Sequence, residues 1–197
     1  MANDCNFDLL AKGRKEDLEK LKEWLESDYH YFINDKGEPC YEGGEHHFWR
    51  IFDFDGEIYE EDHEKYVLSG YGTCAWSVYC CMIRDNAMGT YYLRSGDPLD
   101  PLRQKHEIDL LEASRLLNLS VEIFASEPGC GFAEHYLISD GKFDINDQTD
   151  YLEFYFEDYD SKEEAEKAMG RSISDEQWGC DDCQVLCDWP IPWEFAL

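Results

Sequence analysis

Basic residues are scarce in this chain of 197 residues. Lysine and arginine together number 17 against 45 aspartates and glutamates, which gives a formal net charge of −28. So large a negative charge repels nucleic acid and anionic membranes, and it favours cations or a basic protein as the partner. The same excess would also serve solubility or adaptation to high salt. Composition alone leaves both explanations open.

Long apolar runs are missing too. No stretch reaches the roughly 20 apolar residues that a membrane-spanning helix needs. The N-terminal stretch has neither the basic beginning nor the apolar centre of a signal peptide; it reads MANDCNFDLL. We therefore expect a cytoplasmic protein. Its nine cysteines are then expected to be reduced, and most of them buried.

Signatures of nucleotide-binding and metalloprotease chemistry are also absent, since the chain contains no Walker loop, no GxGxxG and no HExxH. One group of residues could suggest a thiol nucleophile with a base, namely Cys130, Glu134 and His135 beside a predicted turn. Residues 134 and 135 fall on opposite faces of a regular strand, and no motif positions an oxyanion hole. We therefore predict that the chain is not an enzyme.

Candidate metal ligands are few and poorly spaced. Cys180, Cys183 and Cys187 supply three of the four ligands that tetrahedral zinc requires, which makes them a weak candidate zinc site. The adjacent pair His46 and His47 lies among carboxylates, but neighbours on a strand point to opposite faces. We predict no cofactor, with zinc at the three cysteines as the alternative.

The sequence does contain clear alternation of apolar and polar residues. Residues 118–143 read as two strands around a turn at Pro128-Gly129, and Asp140-Gly141 ends the second strand. Helical periodicity marks residues 14–27 and 107–118. A hairpin this apolar requires further strands and a helix layer over one face. The order of elements predicts an α+β protein with a ferredoxin-like antiparallel sheet and helices on one face.

The remaining elements complete a proposed domain plan. Strands are predicted at 6–12, 29–33, 48–54, 57–59, 66–69, 90–94 and 150–160, and a short helix at 161–169. Residues 75–84 fit either a strand or a short helix, and their alternation favours the strand. Asp55-Gly56 predicts a hairpin turn. Residues 1–170 are expected to form the ferredoxin-like domain, with acidic strands inserted at 29–65. Residues 171–197 are expected to form a C-terminal extension rich in tryptophan and cysteine.

Three short motifs occur in order along the chain. They are Asn3, Cys5, Leu9 and Gly13; then Gly72, Thr73 and Trp76; then Glu127, Pro128, Gly129 and Phe132. Together they resemble motifs of the YubB-like family of plasmid- and phage-borne proteins, although Asp4 and Tyr71 depart from the family pattern. The resemblance implies a ferredoxin-like core and a mobile-element context. It implies no catalytic residues.

Acids and tyrosines cluster in two stretches. Residues 53–64 contain seven acids and no lysine or arginine. Residues on one face of a strand recur every ~6.8 Å, which is within a factor of two of the charge spacing along a nucleic-acid backbone. The predicted partner-binding residues are Asp53, Asp55, Glu57, Tyr59, Glu60, Glu61, Asp62, Glu64, Glu153, Tyr155, Glu157, Asp158, Asp160, Glu163 and Glu164.

These clusters predict a non-enzymatic module that binds a basic, nucleic-acid-binding protein, plausibly as a nucleic-acid mimic. In the context that the resemblance implies, the target would be a host defence nuclease, as for anti-CRISPR or anti-restriction proteins. Neither direct nucleic-acid binding nor membrane binding is expected. The alternative is a small enzyme or zinc-binding module that uses Cys130 and His135 or the C-terminal cysteines.

Overall fold

The computed structural model describes residues 4–63, 65–83, 96–127, 132–150, 152–155, 159–169, 172–173, 178, 185–188 and 196–197. In chain order the elements are β1 (Asp4–Gly13), α1 (Lys15–Leu25), β2 (His30–Ile33), β3 (Pro39–Glu42), β4 (Ile51–Asp62), β5 (Lys65–Ala75), a π-helical turn (Tyr79–Ile83), α2 (Asp100–His106), α3 (Leu110–Leu117), β6 (Ser120–Glu127), β7 (Phe132–Ser139), β8 (Lys142–Asp150), β9 (Leu152–Tyr155), α4 (Lys162–Met169) and β10 (Val185–Asp188).

Six strands form one antiparallel sheet in the order β4-β5-β1-β6-β7-β8. The N-terminal strand β1 lies near the middle and pairs with β5 on one side and β6 on the other. Helices α1 and α3 contact each other and pack on one face of the sheet. The other face is called the outer face below. The prediction of an α+β protein with an antiparallel sheet and helices packed on it is confirmed.

The core lies between the sheet and the two helices. Alternate residues of β1 are buried there, among them Phe7 and Leu9, because successive strand residues point to opposite faces. Helix α1 presents Leu18 and Leu21 to the sheet at helical spacing, and both are fully buried. Burial of each such leucine contributes about 2 kcal/mol relative to exposure. This packing fixes the plane of the sheet and therefore the direction of the side chains on its outer face.

Helix α3 starts later than its hydrophobic pattern predicts. Residues 107–109 are outside it because the side chain of Asp109 caps its N-terminus: Asp109 Oδ1 accepts a hydrogen bond of 2.7 Å from the backbone N–H of Glu112. Asn118 ends the helix in the left-handed conformation, with φ of 51°, as its position in the sequence predicts.

Substituting Asp109 by alanine is expected to lower the free energy of unfolding by about 1 kcal/mol, because an N–H group of α3 loses its only side-chain cap. Urea unfolding of the two proteins measures this difference. Asp109→Asn keeps the accepting oxygen and should lose a few tenths of that amount. Equal losses in both variants would contradict the capping role.

Two local predictions are wrong. Asp55-Gly56 is not a hairpin turn but the middle of β4, which continues to Asp62 before the chain reverses. The chain stays extended there because Gly56 pairs with Gly70 of β5, and two glycines allow close backbone approach. Residues 79–83 form a π-helical turn, which is closer to the short helix considered for this segment than to the strand that the alternation favoured.

Outcomes for the other predicted elements are simpler. The short helix is confirmed as α4, with the Oγ of Ser161 accepting the N–H of Glu164 at 3.2 Å. The sheet itself contains β4, which falls within the segment 29–65 that was predicted as an insertion, whereas β2 and β3 form a separate two-stranded sheet. The predicted strand at 90–94 and the turn at Pro128-Gly129 lie outside the described residues.

Candidate partner-binding surface

Strand β4 forms one edge of the six-stranded sheet and carries most of the first acidic stretch. Its residues alternate between the two faces. Phe54 and Ile58 pack against the core, whereas Asp53, Asp55 and Glu57 are exposed on the outer face. The regular extended backbone therefore sets these three carboxylates in one row, whereas the predicted turn at Asp55-Gly56 would have divided them between two strands.

Strand β5 supplies hydroxyl groups that orient two carboxylates of this row. Asp53 lies opposite Thr73, whose Oγ1 donates a hydrogen bond to its Oδ1. Asp55 lies opposite Tyr71, whose phenol donates to Oδ2 at 3.3 Å. Each hydrogen bond restricts the rotamers of a surface carboxylate. The carboxylate therefore loses less conformational entropy when a partner binds.

Two tyrosines accompany the carboxylates. Tyr59 follows Glu57 on the same face of β4 and is 48% exposed, and Tyr71 is 62% exposed. Both lie beside the carboxylates, and tyrosine is one of the residue types that carry much of the binding energy at protein interfaces. Tyrosine also stacks favourably on arginine.

The sequence analysis missed one member of this surface, Asp8 of β1. It is exposed on the outer face, and its register places it directly opposite Tyr71 of β5. Partial burial raises the pKa of its carboxyl group. The alternation of β1 predicts that Asp8 faces away from the core, but only the strand order brings it beside Tyr71. The acid–tyrosine face is defined as Asp8, Asp53, Asp55, Glu57, Tyr59 and Tyr71.

The other acids of the first stretch do not join this row. Glu60 follows Ile58 in the alternation of β4, toward the side of the helices. Glu61 forms an ion pair with Lys12, with Nζ 2.8 Å from Oε1. Asp62 accepts the backbone N–H of His63 at 2.8 Å, at the end of the strand. Glu64 lies outside the described residues.

The second acidic stretch belongs to different elements. Glu153 and Tyr155 lie in β9, which pairs with β10 in a sheet of two strands. Asp160, Glu163 and Glu164 lie at the N-terminus of α4, where the helix dipole stabilises negative charge. Glu164 Oε2 also accepts the backbone N–H of Asp160 at 3.3 Å, which caps the helix. Glu157 and Asp158 lie outside the described residues.

The outer face is buried at β6 and β7, in contrast to β4. Glu122 and Phe124 of β6 and His135 of β7 are all buried there. Glu122 Oε1 contacts His135 Nε2 at 2.8 Å, and its Oε2 accepts the backbone N–H groups of Ala196 and Leu197 at 2.7 and 3.0 Å. The open part of the outer face is therefore the part that carries the acid–tyrosine face.

The candidate catalytic residues are not brought together. Glu134 and His135 point to opposite faces of β7, as their adjacency in a strand predicts, and Cys130 lies outside the described residues. Glu134 is almost fully buried on the helix side, and burial raises the pKa of its carboxyl group. It accepts four hydrogen bonds, two of them from backbone N–H groups at the start of the π-helical turn. This arrangement fits an anchor of the fold.

The histidine pair is also divided. His47 is fully buried and stacks on Tyr29 with ring centroids 3.6 Å apart, whereas the ring of His46 meets the edge of Trp24 at 4.9 Å. Among the described residues, no group of three or more histidine, cysteine, aspartate or glutamate side chains has a geometry that could hold a metal ion.

The cysteines separate into a buried group and the C-terminal candidates. Cys5, Cys74 and Cys81 are fully buried, and the pKa of Cys74 is raised first by hydrogen bonds with the other two thiols and then by burial. They are thus small core residues, as expected. Cys187 lies in β10, whereas Cys180 and Cys183 are outside the described residues, so zinc binding there stays a prediction.

Comparison with protein-family models, with curated proteins and with solved structures gave no match to this chain. The resemblance to the YubB-like family therefore rests on its three short motifs and stays a prediction. Across the part of the chain that the structure describes, no helix is both long enough and apolar enough to cross a membrane.

Proposed function

We propose that this chain is a non-enzymatic binding protein whose acid–tyrosine face captures a basic protein partner. The observation that carries this proposal is the row of three carboxylates on the edge strand of the sheet, two of them oriented by hydrogen bonds from β5, flanked by two exposed tyrosines and by Asp8. The protein would act by charge and shape, with no bond made or broken.

The arrangement of the carboxylates on β4, and not only the net charge of the chain, favours the binding of cations. The carboxylates of Asp53, Asp55 and Glu57 form no ion pair among the described residues, so an incoming lysine or arginine displaces no internal cation. One charge pair at 4 Å is worth only about 1 kcal/mol in water. Several pairs formed together on an ordered edge add up, and they also accelerate association by steering the partner.

The partner class follows from the spacing of the charges. Successive carboxylates on one face of β4 recur every ~6.8 Å along a straight strand. This repeat approximates the spacing of phosphates along a nucleic acid within a factor of two, so the row can occupy a groove lined with lysine and arginine. We therefore propose a nucleic-acid-binding protein as the target, and a host defence nuclease if the resemblance to mobile-element proteins holds.

We further propose that β1, α1, β4, β5, α3 and β6 form a ferredoxin-like core extended by β7 and β8. Support comes from the order β4-β5-β1-β6, in which the first strand lies between the third and fourth strands of the unit. The two helices that pack on one face follow its first and third strands.

Neutralising the row tests the binding proposal. The triple variant Asp53→Asn, Asp55→Asn, Glu57→Gln is expected to bind the proposed host nuclease at least tenfold more weakly than the unmodified chain. The loss should be larger at low salt than at high salt, because high salt already screens the three carboxylates in the unmodified chain. The assay measures how well the chain competes with a labelled DNA duplex for the nuclease, at two salt concentrations.

A matched control separates this effect from the loss of net charge. The variant Glu16→Gln, Glu19→Gln, Glu23→Gln removes three exposed carboxylates from α1, on the opposite side of the sheet. It should compete within about twofold of the unmodified chain, because exposed charges more than a Debye length from the interface are largely screened. Equal losses in both variants, or none in either, would overturn the proposed site.

A further inference from the structure

A pocket with a cationic lining opens at one corner of the sheet. Three basic side chains, Lys12, Arg14 and Lys65, surround a cavity of about 220 Å³. The chain has only 17 lysines and arginines in all, and three of them line this one cavity; Lys12 and Arg14 form ion pairs there with Glu61 and Asp17. The only acid that lines it among the described residues is Glu61.

Separate elements bring these side chains together. Lys12 lies at the end of β1, Arg14 precedes α1, and Lys65 begins β5. The backbone of Gly13 passes close to Leu119, where an added Cβ would lie 2.2 Å from Leu119 Cδ2. This close approach brings Asn118, the C-terminal cap of α3, to the pocket wall. The convergence thus depends on the fold and cannot be read from a run of basic residues.

Two of the three cations keep donors for a further ligand. Arg14 uses Nε for Asp17, at 2.6 Å, which leaves its terminal NH₂ groups available. Lys65 forms no hydrogen bond or ion pair among the described residues. Lys12 donates to both oxygens of Glu61, at 2.8 and 2.9 Å. The Glu61 carboxylate thus occupies the position beside Lys12 Nζ that the oxygens of an external anion would otherwise take.

The negative charge of the whole chain does not cancel this local site. At physiological ionic strength, exposed charges farther away than about 8 Å are largely screened. Within that distance Lys12 and Arg14 are paired with Glu61 and Asp17, and Lys65 is the lining cation whose side chain has no ion pair among the described residues. Helix α1, 11 residues long, also begins at this corner without a side-chain cap, and helix N-termini favour anions.

We propose that this pocket binds a phosphate group, held by Lys65, Arg14 and Lys12 with the Asn118 amide as a further donor. The site is separate from the acid–tyrosine face and does not depend on the function proposed for that face. Its ligand is either free phosphate or the phosphate of a small nucleotide, which share the same dianionic oxygens. The affinity is expected in the millimolar range, because Lys12 and Arg14 are already paired with Glu61 and Asp17.

Titration with two probes at constant ionic strength tests the site. Inorganic phosphate and adenosine monophosphate are added separately to isotope-labelled protein, and amide shifts are followed by NMR. We expect saturable shifts at residues 12–14, 65–66 and 118. Tighter binding of the nucleotide would identify the nucleotide as the source, and equal binding would identify free phosphate. Shifts that are absent, or scattered over the surface, would overturn the proposal.

Two substitutions, each with a matched control, test which side chains form the site. Lys65→Ala removes a side chain without internal partners and should weaken phosphate binding about tenfold. Lys105→Ala removes an exposed charge on α2 and should leave binding unchanged. Glu61→Gln removes the internal carboxylate that occupies Lys12, so phosphate should bind several-fold more tightly, whereas Glu23→Gln, in an exposed residue of α1 outside the pocket lining, makes the same change in net charge without this gain. Weaker binding by Glu61→Gln, or equal effects of the two lysine variants, would contradict the pocket.

Discussion

Replacing Glu134 by alanine is expected to lower the free energy of unfolding by about 3–4 kcal/mol. Its carboxylate accepts the backbone N–H groups of Val78 and Tyr79 at 2.9 and 3.3 Å, and the Tyr136 hydroxyl and the Gln148 amide at 3.1 Å each. Alanine would leave buried donors without an acceptor and would release the π-helical turn from the sheet. Chemical denaturation of both proteins measures the loss.

Glu134→Gln separates the hydrogen bonds from the charge. It retains one accepting oxygen and the shape of the side chain, so it should cost less than alanine. Burial raises the Glu134 pKa above its ordinary value of 4.5, which means that the native state holds this proton more tightly than the unfolded state does. The contribution of Glu134 to stability therefore decreases as the pH rises from the unfolded pKa through the native one.

The pH dependence provides a second measurement. Because glutamine cannot ionise, the difference in unfolding free energy between Glu134 and Glu134→Gln should shift in favour of the glutamine variant as the pH rises from about 4 to 8. A shift in the opposite direction would mean that the hydrogen bonds outweigh burial and that the native pKa is lowered. Equal stability of the alanine and glutamine variants would contradict the anchoring role.

Substituting Gly70 by alanine should destabilise the protein by about 3 kcal/mol, at the upper end of the cost of overpacking. A Cβ at this position would lie 2.6 Å from the backbone oxygen of Asp55 and 2.8 Å from the Cα of Gly56. Neither atom can move away without displacing β4. The free energy of unfolding measures the cost, and hydrogen exchange of β4 amides should rise at the same time.

Gly44 provides the matched control. An added Cβ there meets no atom closer than 3.4 Å, and its φ is outside the left-handed range. Gly44→Ala is expected to change stability by less than about 0.5 kcal/mol. If Gly70→Ala is also neutral, the close contact between β4 and β5 is not required, and the ordered row of carboxylates on β4 loses its structural basis.

Periodicity predicted much of the fold. The alternation over residues 118–143 and the helical stripes of α1 and α3 identify real elements, because each buries one face against the same core. The errors occurred where the residue types of a short segment favour one structure but pairing with a strand far away in the sequence imposes another. Asp55-Gly56 has the composition of a turn, but Gly56 pairs with Gly70 of β5.

The candidate surface shows the same limit. The acidic cluster of β4 could be recognised from the sequence, but the predicted turn at Asp55-Gly56 hid the fact that alternate residues of one strand place its carboxylates on one face. Asp8 could not be added to them, since 45 residues separate it from Asp53 and only the strand order places both beside β5. The anchoring role of Glu134 was also missed. Its partners Val78 and Tyr79 lie more than 50 residues away along the chain.

The position of β1 has a consequence for synthesis of the chain. The first strand to leave the ribosome pairs with β5 and β6, so its partners are complete only after residue 127. At about 5–20 residues per second, β1 waits on the order of ten seconds for its second neighbour. Until then at least the edge of β1 that pairs with β6 stays unpaired. A fusion partner that shields this edge should therefore raise the yield of folded protein, whereas removing β1 would divide the sheet into two parts.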